Sequence, residues 1–421
     1  FWEDVASTDL LLALGLSNLP EGEQHSSIGE FFQAAGLLDA SGLVKPEYAG
    51  KVDFVGHSLG GHLSLWAMYE YRDLFAEVYT FNGAGISGLP LSPDAAYIER
   101  MVAANPLSAA ELGRIHNVFA EEGPELTAND ITFFRPGARE GAFIERRDLL
   151  GTVFFHSASL LVESLSVYRL FSALDESLDL ETIGDILYGM SNQSVGSLDA
   201  AVAAISDLLG PGYDYGTVDG AELFYQDIRQ SLADSESFGS EIHSLVGRGV
   251  DQLAAAVAED SMLGRGYRYA LHHALPFAVT AGSSGMAMSD EDYALENFSD
   301  NYLQDRSLYL STLLRMNEED GVNGDLARPL RFIDLQHNRS FDSDDLGTRN
   351  EAPVVTRPVI WFGSNSADTQ YPAGSSAGDR LYGMSGDDRI EGLAGGDYLE
   401  GGRGNDNLLG GEDGDVLSLS L

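Results

Sequence analysis

Residues 374–418 read GSSAGDRLY, GMSGDDRIE, GLAGGDYLE, GGRGNDNLL and GGEDGDVLS, five consecutive nonamers with glycine first, aspartate sixth and an aliphatic residue eighth. Asp379, Asp388, Asp397, Asp406 and Asp415 share one register, and Leu381, Ile390, Leu399, Leu408 and Leu417 share another. Glycine allows the positive φ of tight turns, each carboxylate offers the hard oxygen ligands that calcium takes, and the aliphatic column can stack inward as a narrow core. The pattern predicts a parallel β-roll that binds structural Ca2+ through the five aspartates. A flexible glycine- and aspartate-rich linker would not keep an aliphatic residue at every eighth position. Ala377 stands where glycine is usual, and Asp413-Gly414 breaks the last nonamer, so both ends are expected to act as imperfect caps that hold calcium less tightly.

Upstream of the repeats the text changes. Between 163 and 315, SLLVESLSVYRLFSAL, DAAVAAISDLL, AELFYQDIRQSLA, HSLVGRGVDQLAAAVA and DNYLQDRSLYLSTLLRM place apolar residues three and four apart, which predicts helices. Pro211, Pro276 and glycine clusters punctuate them. YRYAL at 267–271 reads as a packing feature, and Asp305-Arg306 as a surface pair. Residues 321–360, rich in Asn, Asp and Arg with three prolines, read as a connector.

The whole chain of 421 residues carries 24 Lys and Arg against 66 Asp and Glu, a formal charge of −42. Phosphate neutralisation needs clustered basic residues, so a nucleic-acid partner is excluded as the default. Only −7 of that charge falls in 374–421, so the acidity is chain-wide and suits a salty or calcium-rich exterior. With 44% hydrophobic residues the chain can build a large core. It has no cysteine, which removes disulfides, thiolate metal sites and cysteine nucleophiles. No run of about 18 apolar residues appears, so no transmembrane helix is expected. The start, Phe1-Trp2-Glu3-Asp4, lacks Met and the layout of a cleavable signal, and the chain is expected to be trimmed at both ends.

The chemistry sits in KVDFVGHSLGGHLSLWAMYEY, residues 51–71. Val52, Phe54 and Val55 form a short apolar strand, Gly56-His57-Ser58-Leu59-Gly60 is G-x-S-x-G, and 61–71 is a credible helix. Strand, sharp turn and helix are the context of a nucleophile elbow. The glycines matter because the serine backbone is strained and side chains beside it would meet the crossing strand and helix. The helix N-terminus offers the Leu59 amide as an oxyanion donor for a Ser58 nucleophile. The same pattern recurs around Ser376 inside the repeats, with no helix after it.

A serine hydroxyl needs a base, and the base needs an orienting acid. His25 and His57 precede Ser58, and His62 lies on the helix just after it. His243, His272, His273 and His337 fall in helical or connector text, and His116 in RIHNVFA, which reads as a buried strand. His156, at a loop-to-helix junction in TVFFHSASLLVESL, is the favoured base. The acid should leave the end of a strand between them. The strand at 114–120 runs into Glu121 and Glu122, the favoured carboxylates, with Glu125, Asp130 and Asp148 behind them; a solvated acidic loop explains any one of these equally well.

The stretch 9–171, with FFQAAGLLDASGLV, VDFVGHSLGGHL, VYTFNGAG and FFHSASLLVESLSVYRLF, resembles the lipase-type α/β-hydrolase module of large bacterial RTX proteins, and the nonamers resemble the RTX calcium-binding repeat. The resemblance implies an α/β fold in four parts: a hydrolase-like core at 1–175, a helical lid or packing region at 176–320, the connector at 321–360, and an RTX β-roll at 361–421. It implies a secreted serine ester hydrolase of the triacylglycerol lipase, esterase or phospholipase A1 type, with polyester hydrolysis also open, acting on lipid or other carboxylic esters, in places at a lipid–water interface. It further implies calcium-triggered folding outside a Gram-negative cell and export by type I secretion machinery. No organic cofactor is needed. The second oxyanion donor, which related lipases supply from an FRGT-like segment, has no counterpart here; one missing donor costs about 2.7–4 kcal/mol in the transition state. The competing expectation is a non-catalytic, calcium-dependent adhesin or spacer that retains a degenerate hydrolase domain.

Overall fold

The computed structural model describes residues 23–83, 85–86, 102–121, 135–145, 158–191, 196–210, 240–280, 286–318, 330–343, 357–368 and 375–419. It divides into two compact units, Phe1–Tyr168 and Arg169–Leu421.

The first unit is organised by α1 (Glu23–Ala34), β1 (Val52–His57), α2 (Leu59–Glu70), β2 (Phe75–Phe81), α3 (Ala109–Leu112), β3 (Ile115–Ala120) and β4 (Ala138–Ala142). The four strands form one sheet in the order β1-β2-β3-β4, each pair parallel. Parallel neighbours require crossovers, and α2 is the one joining β1 to β2. Leu65, Trp66, Ala67, Met68 and Tyr69 follow one another along α2 and are all buried, as expected of a helix that is apolar nearly all round. They share a core with Ile28 and Phe32 of α1 and with Phe75, Val78 and Ile115 of the sheet. Phe54 and Phe75 stack across β1 and β2 at 5.4 Å, and Phe32 meets both edge-on. A second cluster joins Val118, Ala120, Ala142 and Ile144 to Leu160 and Leu161 at the start of α4 (Ala158–Leu174). The expected strands at 52–55, 77–81 and 114–120 and the expected helix after Ser58 are all present.

The second unit holds α5 (Leu180–Met190), α6 (Ser197–Leu209), α7 (Val250–Val257), α8 (Met262–His272) and α9 (Asp300–Glu318), with an antiparallel ribbon of β5 (Glu241–Ser244) and β6 (Phe277–Thr280). The nonamers give one strand each: β10 (Arg380–Tyr382), β11 (Arg389–Ala394), β12 (Tyr398–Glu400), β13 (Asn407–Glu412) and β14 (Val416–Ser418). Alternate turns go to alternate sheets. β10, β12 and β14 pair in parallel in one, and β11 and β13 in the other. This is the coil of a β-roll, with Leu381, Ile390 and Leu399 fully buried between the sheets. The inward column weakens toward its end: Leu417 is 47% exposed.

Two expectations change. The stretch read as a connector contributes β7 (Arg331–Asp334), β8 (Arg339–Asp342) and β9 (Val359–Phe362) to the larger sheet, in the order β14-β12-β10-β9-β7-β8. Its polar flanks hide two short apolar runs, RFID and VIWF, in which Phe332, Val359, Ile360, Trp361 and Phe362 are buried. Asp305 and Arg306 are not a surface pair, for each is only 2% exposed. Adjacent helical residues point apart. Asp305 therefore accepts from Arg380 and from the Tyr382 hydroxyl, both at 2.5 Å, while Arg306 meets Asp334 at 2.7 Å and lies over the Tyr309 and Phe362 rings. Burial alone would raise the Asp334 carboxyl, but the Arg306 guanidinium and His337 hold it well below the usual carboxylate range. YRYAL is a packing feature as expected: Tyr267, Tyr269 and Leu271 are buried, and Arg268 donates to the carbonyls of Val257, Glu259 and Tyr293.

Candidate functional site

Ser58 lies between β1 and α2 with φ 57° and ψ −121°. Such a conformation is sparsely populated by residues with a Cβ and costs on the order of 1–3 kcal/mol. Its surroundings hold it there. The Ser58 amide donates to Phe81 O at 3.1 Å, tying the turn to the end of β2, and Ser58 O accepts from Gly61 N at 3.0 Å. A Cβ on Gly56 would stand 2.1 Å from Gly60 O, and one on Gly61 would stand 2.5 Å from Gly83 Cα. Gly60 itself has open space where a Cβ would go. The steric demand thus falls on Gly56 and Gly61 rather than on every glycine of the motif. Leu59 opens α2, so its amide is one the helix leaves without an acceptor of its own, at the positive end of the helix dipole.

Buried polar side chains tie the strands of the sheet to one another. Asn82, at φ 44° and fully buried, donates its backbone N–H to Val118 O and accepts on Oδ1 from Ala120 N, each at 2.9 Å. Asn117 accepts from Thr80 Oγ1 at 2.9 Å and donates to Pro136 O and Ala138 O. Asn82 thus ties the end of β2 to β3, while Asn117, midway along β3, ties β3 to β2 and to the start of β4. Ligands of open parallel sheets bind outside the sheet's C-terminal edge. Glu121 leaves it directly after β3: its amide donates to Ala142 O at 3.0 Å, and its carboxyl lies over Gly141, where a Cβ would stand 2.9 Å from the carboxyl carbon. Glu145, just past β4, is a second carboxylate near this edge and only 7% exposed. Sequence reading missed Asn82, Asn117 and Glu145. Asn82, just past β2, and Asn117, inside β3, take partners from other parts of the chain that no local pattern announces, and nothing distinguishes Glu145 in so acidic a chain.

Among the sequence-predicted residues, the structure therefore brings Ser58, the Leu59 amide and Glu121 to one edge of one sheet. His156 and Glu122, with Glu125, Asp130 and Asp148, lie outside the described residues. His62 is buried, with Nδ1 donating to Gly85 O at 2.9 Å; burial lowers its pKa, so it acts as a neutral anchor for the chain beyond β2. His116 lies in β3 as expected but is half-buried on the face of the sheet, clamped by Glu140 at 2.9 Å and Glu77 at 3.2 Å and stacked on Tyr79. Ser376 occupies an exposed position in a roll turn.

In the roll the sixth-position aspartates form two ladders. Asp379 N donates to Asp397 Oδ1 at 2.8 Å, Asp388 N to Asp406 Oδ1 at 3.0 Å, and Asp397 N to Asp415 Oδ1 at 3.0 Å. The second oxygens of Asp388, Asp397 and Asp406 are buried with no hydrogen-bond donor. Burial first, and neighbouring carboxylates second, push Asp388 and Asp397 up to about 6; the neighbours are Asp368 and Asp406 for the one and Asp379 and Asp415 for the other. Burial raises Asp379 as well, against donors from Val359 and Ser375. Buried anionic oxygens without donors are what a cation relieves, and an all-oxygen set suits calcium. Among the described residues no group of three His, Asp or Glu side chains converges on a metal position, so backbone carbonyls of the turns would complete each oxygen shell.

Residues 374–417 match the family model of the RTX calcium-binding nonapeptide repeat, in four copies. The repeats are calcium-binding. No curated protein and no solved structure matches the chain. No helix of the described residues is long and apolar enough to cross a membrane.

Proposed function

We propose that the chain is a calcium-stabilised serine ester hydrolase. The observation that carries this reading is the backbone of Ser58: a serine held at positive φ, between a parallel strand and a helix N-terminus, by glycines that cannot accept a Cβ. A strained serine at the C-terminal edge of a parallel sheet is the backbone setting that a nucleophile elbow requires, which supports the reading.

In the proposed reaction, Ser58 Oγ attacks the ester carbonyl as His156 takes its proton. The tetrahedral oxyanion is met by the Leu59 amide, the C–O bond to the alcohol breaks, and His156 returns the proton to the leaving oxygen. Water, deprotonated by the same imidazole, then cleaves the acyl-enzyme and restores Ser58. Glu121, just past the end of β3, or Glu122 next to it in sequence, is the carboxylate proposed to orient that imidazole. Lipid or other carboxylic esters are the proposed substrates. RTX repeats are typical of proteins secreted by Gram-negative bacteria, which supports an extracellular site of action and type I export.

The test is hydrolysis of p-nitrophenyl acetate, butyrate and octanoate by the purified chain with calcium supplied. Wild type should turn over, and Ser58→Ala, with an unchanged circular dichroism spectrum, should fall to the buffer rate. Equal inertness of both proteins would exclude esterase activity and favour a degenerate, non-catalytic module.

A further inference from the structure

The roll begins before its nonamers. Residues 363–368 read GSNSAD, with glycine first and aspartate sixth, but Asp368 precedes Asp379 by 11 residues and so escapes the period of nine. The geometry is nevertheless that of a roll turn. Gly363 N donates to Tyr382 O at 2.7 Å, as Gly383 N does to Glu400 O at 2.8 Å and Gly401 N to Ser418 O at 2.9 Å. A Cβ on Gly363 would meet Gly383 O at 2.4 Å and Asp368 Oδ2 at 2.7 Å; on Gly383 it would meet Gly401 O at 2.4 Å and Asp388 Oδ2 at 2.5 Å. Asp368 N donates to Asp388 Oδ1 at 2.8 Å, extending the aspartate ladder upward.

The turns differ in what satisfies their carboxylates. In the two earliest, a serine follows the first glycine. Ser364 gives Asp368 its amide at 2.7 Å on Oδ2 and its hydroxyl at 3.1 Å on Oδ1. Ser375 does the same for Asp379 at 2.6 and 2.9 Å, and Val359 N adds a third donor to Asp379. At Asp388, Asp397 and Asp406 the position after the first glycine is Met384, Leu393 and Gly402, and Oδ2 is left buried without a donor.

Packing weakens in the same direction, from β9 toward β14. β9 is buried throughout, and Phe362 stacks on Tyr382 of β10 and meets Tyr302 and Tyr309 of α9 edge-on. Asp305 of α9 holds both Arg380 and Tyr382. By contrast Leu409, Val416 and Leu417 in β13 and β14 are each more than 40% exposed.

We propose that the roll is built of two kinds of turn: serine-locked turns ending at Asp368 and Asp379, which need no cation, and calcium-holding turns at Asp388, Asp397 and Asp406. β7–β10 with α9 then form a calcium-independent seed, and calcium builds β11–β14 onto it. Lost donors and an apolar anchor act together: where serine neutralises the need for a cation and aromatic rings supply the core, folding precedes calcium. Downstream, where the serine is absent and the buried column runs out toward β14, it waits for calcium.

Amide hydrogen exchange of the full chain, followed by mass spectrometry in EDTA and in excess calcium, tests this. In EDTA, amides of β9 and β10 should remain protected while those of β11–β14 exchange as in an unfolded chain, and calcium should slow the latter by tenfold or more (on the order of a stable local structure). The double variant Ser364→Ala with Ser375→Ala, which removes the hydroxyl donors on Oδ1 and keeps the amide donors on Oδ2, should lower the protection of β9 and β10 in EDTA yet bind as much calcium as wild type by calorimetry. Asp388→Asn should keep the EDTA protection and bind less calcium. Exchange of β9 and β10 as fast as β11–β14 in EDTA would overturn the proposal, as would protection of β11–β14 without calcium or loss of calcium binding in the serine variant.

Discussion

At Ser58 stability and the proposed chemistry make opposite demands. Its positive φ is a cost that glycine would not bear. Ser58→Gly should therefore raise the thermal stability of the chain, by about 1 kcal/mol, while abolishing ester hydrolysis. A destabilised Ser58→Gly would show that the serine side chain is held by packing rather than displayed for attack. The neighbouring glycines should separate in the same way. Gly56→Ala places a methyl 2.1 Å from Gly60 O, a backbone atom that cannot step aside cheaply, and should destabilise the chain by about 1–3 kcal/mol and remove activity. Gly60→Ala, with open space at that position, should be stable, as differential scanning calorimetry of the pair would show.

Single strands and turns carry their own titrations. His116 in β3 is raised above its ordinary value chiefly by its hydrogen bond to Glu140, and by Glu77 against the opposing effect of burial. A raised imidazole contributes stability that is fully present below the unfolded pKa near 6.5 and is lost as pH climbs through the folded value. Glu140→Gln should lower the His116 midpoint in an NMR titration and flatten the stability profile above neutral pH. The aspartates of the roll work in the other direction. With Asp388 and Asp397 at about 6, the calcium-free folded roll binds protons that the unfolded chain, near 3.9, has already released. Stability of the calcium-free roll should therefore fall as pH rises from about 4 to 6. Calcium should reverse that slope and expel protons on binding, measurable as buffer-dependent heat in calorimetry.

Across the whole chain, what could be read in advance was what local pattern dictates. A period of nine fixes glycine, aspartate and aliphatic positions together, and the five strands of the nonamers fall where it requires. The tight turn at Ser58 was legible because such a turn needs small neighbours at short range, and the crowding at Gly56 and Gly61 bears out that steric demand. Residues that act through distant partners were not legible. Asp305 and Arg306 look like a surface pair until β7 and β10 bring Asp334 and Arg380 to them. Asn82 and Asn117 are silent until the sheet places them beside the backbone of another strand. β7 and β9 are too short to show a period, and the turn at 363–368 is displaced from the register of nine by two residues.

The reactivity of one hydroxyl decides the functional account. The folded, calcium-loaded chain should be treated with a fluorophosphonate, which phosphonylates activated serines, and the adduct mapped by peptide mass spectrometry. The adduct is predicted on Ser58 and absent from Ser58→Ala. A wild-type chain that stays unlabelled, or one labelled elsewhere and equally in Ser58→Ala, would contradict it.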